Sequence, residues 1–369
     1  MKISIVFLGS TGAGPVYSFE FAKALLKHAD CEIQLIISKE VENIDNWKNE
    51  FDGQNVDFNI IETYKHTSLA VGLSFFQFWK TNKLVKLIKK YHPDFVFFPF
   101  GLTWSPIVFP QISKFTNIVT TLHDPHPHDV THNLLIRILN RFSSKAQKKV
   151  DGIVILNKTD YDYVKKTYNK DIAVIPHASF DYYAKTTDNE SKKITKTIGF
   201  IGRIEPYKGL DLLVESFVLN PDSSLKMLIA GSGKIDDDTK LKIDGDKRII
   251  LYNRYIEENE FPSLFKKIDF LVLPYKRASQ SGVIPMSFAF GVPVIATNVG
   301  ALSEQIPEGT GVIVSPDKDS ISEAINYMYK DASIITEMGK KAKKYSDENM
   351  TWSQSAELLL SFLRKLKDS

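Results

Sequence analysis

KTIGFIGRIEPYKG (196–209) begins as an apolar run of strand character and stops at Gly202. It then sets Arg203 and Lys208 five residues apart ahead of another glycine. A strand that ends in a glycine turn and leads into a helix is the repeating unit of a parallel α/β sheet. Two permanent cations at that junction suit an anion. Arg presents a planar fork and keeps its proton, while Lys adds a compact charge. A salt bridge to Glu205 would explain one cation cheaply, but hardly both beside flanking glycines.

The same alternation extends in both directions. ISIVFL (3–8), IQLII (33–37), DFVFFPF (94–100), NIVTTL (117–122) and DGIVIL (151–156) are short runs rich in Val, Ile and Phe, separated mostly by helical patterns such as SFEFAKALLKH. KTIGFIG, LKMLIAG, RIILYN, DFLVLPY, PVIAT and GVIVS form a second set. Between the sets, IPHASFDYYAKTTDNESKKITK (175–196) turns polar and charged after its first few residues and reads as a linker. The expected organisation is α/β, with a Rossmann-like domain at 1–175, a linker at 176–196, a second doubly wound domain at 197–347 and a closing segment at 348–369. A ligand cleft is expected between the domains. In the closing segment Trp352, Ala356, Leu359, Leu360, Leu363 and Leu366 recur at helical spacing, so this helix is expected to pack back on the first domain.

Composition narrows the function. The 369 residues carry 47 Lys and Arg against 44 Asp and Glu, a net charge of +3 that does not point to nucleic acid as the main partner. Cys31 is the single cysteine, which precludes a disulfide framework and suggests a small buried hydrophobe in a reduced compartment. MKISIVFLGSTG has too short an apolar run for a secretory signal, and no segment approaches the roughly 18 to 20 apolar residues of a membrane span. The expected location is cytoplasmic, with the inner face of a membrane as a candidate contact. KTNKLVKLIKKYHPD (80–94) sets Lys83, Lys86 and Lys90 on one helix face and Leu84, Leu87, Ile88 and Tyr91 on another. A solvated helix packed on the sheet accounts for this. Membrane-surface contact is the alternative, favoured by LSFFQFW (73–79) just before it.

Three further stretches bear on chemistry. GSTGAGP (9–15) follows the first strand, and Gly9, Gly12 and Gly14 would let the backbone approach a phosphate at a helix N-terminus; a tight turn without a ligand is the plain alternative. Its spacing is not the dinucleotide fingerprint, and the second strand ends in Ser38-Lys39 rather than an acid, which argues against a dehydrogenase. HDPHPHDVTH (123–132) holds four histidines, but its prolines and the lack of a second Cys or His cluster make a metal set unconvincing. His123, at a strand's C-terminal end, is the better functional candidate. ASQSGVIP (278–285) places Gly282 just ahead of a proline suited to a helix's first turn, so the amides of Ser281, Gly282 and Val283 are expected to bind an anion.

These residues resemble the family-four retaining glycosyltransferases of the GT-B fold. GRIEPYKG is similar to that family's G-R-x4-K-G, LIAGSGK to its A-G-x-G strand end (Gly231), and GVPVIATNVGALSE to its G-x-P-V-I-A-x-x-x-G-G-x-x-E region. TLHD (121–124) is similar to its donor-domain-facing histidine, and TWSQSAELLL to its closing helix. The resemblance implies transfer of a sugar from a nucleotide-diphosphate donor to a glycan or lipid-linked acceptor, with retention, and with neither metal nor cofactor. It implies Arg203, Lys208 and His123 as catalytic groups. Gly12, Gly14, Gly202, Gly231, Tyr255, Ile256, Gln280, Ser281, Gly282 and Val283 are then the donor contacts. The family's two glutamates, eight positions apart, are replaced here by Ala278 and Met286. A catalytically silent glycan-binding or partner subunit is therefore the second reading.

Overall fold

The computed structural model of the protein describes residues 1–64, 72, 74, 76–126, 134–180 and 193–368, with the backbone alone over 134–140. The chain divides into two compact units, Met1–Pro176 with the helix Trp352–Asp368, and His177–Thr351. Each is a doubly wound Rossmann-like unit.

In the first unit β1 (Lys2–Phe7), β2 (Glu32–Ser38), β3 (Asp57–Ile61), β4 (Phe95–Phe98), β5 (Asn117–Leu122), β6 (Gly152–Ile155) and β7 (Asp171–Val174) form one sheet. The order is β3-β2-β1-β4-β5-β6-β7, all parallel. Ile5 of β1 lies opposite Leu35 on one side and Phe97 on the other, and all three are buried. Helices cover both faces of such a sheet, so its central strands read as continuous apolar runs rather than alternating ones. The edge strands β3 and β7 lack that signal. DFNII and DIAV are mostly half-buried or exposed, and neither stands out in the sequence. Cys31 also differs from expectation. It is half-buried in the turn ahead of β2, beside Asp30, because the buried run begins only at Ile33.

The helix Trp352–Asp368 packs on the helix Ala13–Leu26. Trp352 meets Tyr17 and Phe21 at ring-centroid distances of 5.2 and 6.0 Å. Leu359, Leu360 and Leu363 are buried, and Arg364 pairs with Asp30 at 2.7 Å. Its apolar stripe therefore has its partner within the first unit.

In the second unit β8 (Thr197–Ile201), β9 (Lys226–Ala230), β10 (Ile249–Tyr252), β11 (Phe270–Leu273), β12 (Val294–Thr297) and β13 (Gly311–Val314) form a parallel sheet ordered β10-β9-β8-β11-β12-β13. Asp269, fully buried at the entry to β11, accepts from the Thr197 amide at 2.9 Å and from the Tyr329 hydroxyl at 3.0 Å. These donors satisfy a carboxylate that burial would otherwise destabilise. The linker expected at 176–196 differs at its start. His177, Ala178, Ser179 and Phe180 are buried in the second unit, and the Ser179 amide donates to the Met350 carbonyl at 2.7 Å. Residues 181–192 lie outside the described residues. No helix among the described residues is long and apolar enough to cross a membrane.

Candidate functional site

Strand order in the second unit reverses direction between β8 and β11. The connections leaving these two strands run to opposite faces, and a crevice opens at their C-terminal ends, where open α/β sheets bind ligands. The cations of the 196–209 stretch stand at this point.

β8 runs into Gly202, whose φ of 129° lies in the region that favours glycine. A Cβ there would sit 3.2 Å from Lys208 Nζ and 3.7 Å from Val283 Cγ2, so the bare backbone makes room for the ammonium. Gly231, at the end of β9, is required for a related reason. Its φ is 152°, and a Cβ would fall 1.9 Å from the Gly202 carbonyl oxygen. Lys208 ends the short 3-10 turn Pro206–Lys208, and its amide returns to the Glu205 carbonyl at 2.9 Å. Its Nζ lies 5.0 Å from the ring centre of Tyr275, a buried side chain just beyond β11. Among the described residues neither the Arg203 nor the Lys208 side chain meets a carboxylate, and Glu205 takes neither. The neighbouring Lys276, by contrast, is paired with Asp211 at 2.6 Å.

The 278–283 stretch departs from expectation at one amide. The Ser281 N–H is not available to an anion, because it donates to Gln305 Oε1 at 2.7 Å, while Gln305 Nε2 donates to the Ser281 carbonyl at 3.3 Å. The Gln305 side chain thus clasps both backbone groups of one residue. The Ser281 hydroxyl is buried within 3.3 Å of the Tyr275 hydroxyl. The helix that follows is Val283–Ala289, with Pro285 in its first turn. The amides of Gly282 and Val283 have no acceptor among the described residues. Gln280 is half-buried, and its Oε1 is buried without a hydrogen-bond partner among the described residues, an acceptor suited to an incoming hydroxyl.

Behind Gly282 stands His177. A Cβ on Gly282 would lie 3.7 Å from its Nε2, and its Nδ1–H donates to the Ala178 carbonyl at 2.7 Å. Burial holds this imidazole down at about 4, only partly opposed by that hydrogen bond, so it is uncharged at neutral pH. Tyr255 is exposed and its carbonyl accepts from Arg254 at 3.0 Å, while Ile256 is buried. A cavity of about 590 Å³ lies alongside, with Ile204, Glu205, Asp211, Gly233, Asp236 and Lys276 in its wall. It is lined by none of Arg203, Lys208 or Gly282.

In the first unit, His123 donates its Nε2–H to the Pro99 carbonyl at 2.9 Å and packs against Phe100 and Tyr17, with ring centres 4.0 and 4.7 Å away. The Gly12 amide donates to the Glu42 carboxylate at 3.0 Å. The chain's own anion thus stands where the sequence reading places a donor phosphate. A Cβ on Gly14 would be 3.0 Å from the Phe7 ring, which accounts for that glycine by packing. Of the histidine cluster, His126 donates to Asp160 at 2.8 Å, and residues 127–132 lie outside the described residues. Tyr275, Gln305, His177 and Glu42 are the site-building residues the sequence reading missed. A histidine in an apparent linker was the only one with a visible signal.

Residues 195–331 match the sequence model of the family described as glycosyl transferases group 1. The matched segment spans all six strands of the second unit's sheet. The chain is 31% identical over 176 residues to the D-inositol 3-phosphate glycosyltransferase of Paenarthrobacter aurescens (strain TC1), covering 45% of this chain and 43% of that one. The capsular polysaccharide biosynthesis glycosyltransferase CapM of Staphylococcus aureus is 27% identical over 180 residues, covering 46% and 47%. The chain therefore spans less than half the length of these curated relatives. Among solved structures, a glycosyltransferase from Rickettsia africae ESF-5 superimposes with a TM-score of 0.73 at 17% identity, over 99% of this chain and 98% of that one. Anabaena Alr3699/HepE, in complex with UDP-glucose, gives 0.70 at 13% identity, over 99% and 100%. At such identities these likenesses establish the fold. The second unit carries its two cations at the switch point of that fold.

Proposed function

We propose that the protein transfers a sugar from a nucleotide-diphosphate sugar to a hydroxyl of a glycan or lipid-linked acceptor, with retention and without a metal, in the synthesis of cell-surface polysaccharide or glycolipid. The observation that carries this reading is the pair of carboxylate-free cations, Arg203 and Lys208, at the switch point of the second unit. The Anabaena complexes with UDP and UDP-glucose support a nucleotide sugar as the donor class.

The chemistry asks for these groups. As the bond between the sugar's anomeric carbon and the diphosphate breaks, negative charge builds on the leaving oxygen and positive charge on the sugar. Stabilising the leaving group is the larger electrostatic task. Arg203 and Lys208 meet the diphosphate, and the amides of Gly282 and Val283 add donors. The acceptor oxygen forms its bond on the face the diphosphate leaves, and its proton passes to the departing phosphate oxygen. No protein nucleophile is consumed. Gln280 Oε1 then accepts from a hydroxyl of the donor sugar.

A thermal-shift panel of nucleotide sugars tests the reading, since a ligand at 100 times its dissociation constant adds roughly 2.7 kcal/mol of stability. One member should stabilise the protein, and turnover with it should persist in EDTA. No shift with any nucleotide sugar contradicts the donor site. Activity lost to EDTA and restored by Mg²⁺ or Mn²⁺ contradicts the metal-free mechanism. The silent-subunit reading, favoured by Ala278 and Met286 in place of carboxylates, predicts a thermal shift without turnover.

A further inference from the structure

Far along the chain from the cations, the helix Phe78–Tyr91 has one face that the rest of the first unit leaves uncovered. Thr81, Leu84 and Ile88 are buried and fasten it to the sheet. On the opposite side, at spacings of i, i+4, i+7 and i+11, lie Trp79, Lys83, Lys86 and Lys90, one row along the helix. Trp79 is 66% exposed, and at the entry to the helix Phe76 and Phe78 are 72% and 57% exposed. FWKTNKLVKLIKKY contains no acid, and Lys83, Lys86, Lys89 and Lys90 meet no carboxylate among the described residues. Of the LSFFQFW stretch, Leu73 and Phe75 lie outside the described residues.

Each feature has an ordinary explanation alone. A lysine-rich surface keeps a helix soluble, and single exposed apolar side chains are common. Three large aromatics within four residues, leading into an unneutralised row of lysines with Trp79 in it, are another matter. Water does not favour those rings, and a bare polyanion offers them nothing. The interface of an anionic bilayer satisfies both halves, with rings at headgroup level and ammonium groups on the acidic headgroups. We infer that this face docks on an anionic membrane surface, with Phe76, Phe78 and Trp79 inserted and Lys83, Lys86 and Lys90 against the headgroups.

The protein carries its own reporter. Of its four tryptophans, Trp47, Trp104 and Trp352 are buried, so Trp79 alone senses the surface. The test is vesicle co-sedimentation of the full chain, with intrinsic fluorescence read alongside, using phosphatidylcholine vesicles with and without about one third phosphatidylglycerol. The inference predicts binding to the anionic vesicles, a blue shift of the emission, and loss of both at high salt. The Lys83→Gln/Lys86→Gln/Lys90→Gln protein should bind about a hundredfold more weakly, at about fivefold per lysine. These side chains are exposed, so circular dichroism should show the fold unchanged. Trp79→Phe should abolish the blue shift while leaving sedimentation largely intact. Equal binding to both vesicle types, binding without a blue shift, or a triple variant that binds like wild type overturns the inference. So does tight binding to soluble dextran sulfate with no affinity for vesicles.

Discussion

Arg203 and Lys208 are held in different ways. Arg203 is exposed and unpaired among the described residues, whereas Lys208 leans over the Tyr275 ring in space left by Gly202. A ring face attracts an ammonium without neutralising it, by about 0.5 to 2 kcal/mol. Such a contact can aim the charge and still leave it available to a phosphate. Tyr275→Phe keeps the ring and should bind a nucleoside diphosphate within about twofold of wild type; Tyr275→Leu should weaken it by about threefold to tenfold. Isothermal titration with UDP separates them, and equal behaviour of the two variants would remove Tyr275 from the account. His177 makes a second prediction at this scale. Its ring sits at about 4 in the folded protein against an ordinary 6.5, so between those values the unfolded chain binds the proton that the native state refuses. Its contribution is therefore fully present above pH 6.5 and declines as pH falls towards 4, by roughly 3 kcal/mol in all. Urea unfolding of His177→Gln across that window should show a shallower pH dependence than wild type. An unchanged slope would contradict the burial argument.

Among the elements, the helix Trp352–Asp368 shows what periodicity can and cannot say. Its apolar stripe is plain in the sequence, yet the residues it meets, Tyr17 and Phe21, belong to the first helix of the chain. Trp352→Ala should cost the first unit about 3 kcal/mol or more, the scale for removing a buried aromatic. Thermal unfolding would register this as a lower transition. A change under about 0.5 kcal/mol, the size of an ordinary surface substitution, would mean that the helix is not needed there. Central strands are legible because burial on both faces demands unbroken apolar runs. The edge strands β3 and β7 are not, because one flank of each lacks a neighbouring strand and polar residues are tolerated. The start of the apparent linker misleads for the opposite reason. His177 and Ser179 look polar, but the second unit buries them.

Across the whole molecule, both sheets reverse strand order in the same manner, yet among the described residues only the second places cations without a carboxylate partner at the reversal. The fold class was legible because alternating strands and helices leave few topologies. The site was legible where charge follows a strand directly, as in Gly202-Arg203 and at Lys208. It was not legible where contacts join distant residues. Gln305 clasps Ser281 from 24 positions away, and Glu42 reaches Gly12 from 30. No local pattern announces either. His123 belongs to the first unit and the cations to the second, so His123→Ala should depress transfer more than nucleotide binding. Equal losses in rate and in UDP affinity would remove it from the transfer step. The most direct measurement is the turnover of Lys208→Ala and Arg203→Ala with whichever nucleotide sugar stabilises the protein. A preorganised charge at a developing anion is worth about 10²-fold or more, so each variant should fall by that factor while keeping the wild-type melting temperature. Near wild-type turnover in either would contradict the claim that these cations hold the leaving diphosphate.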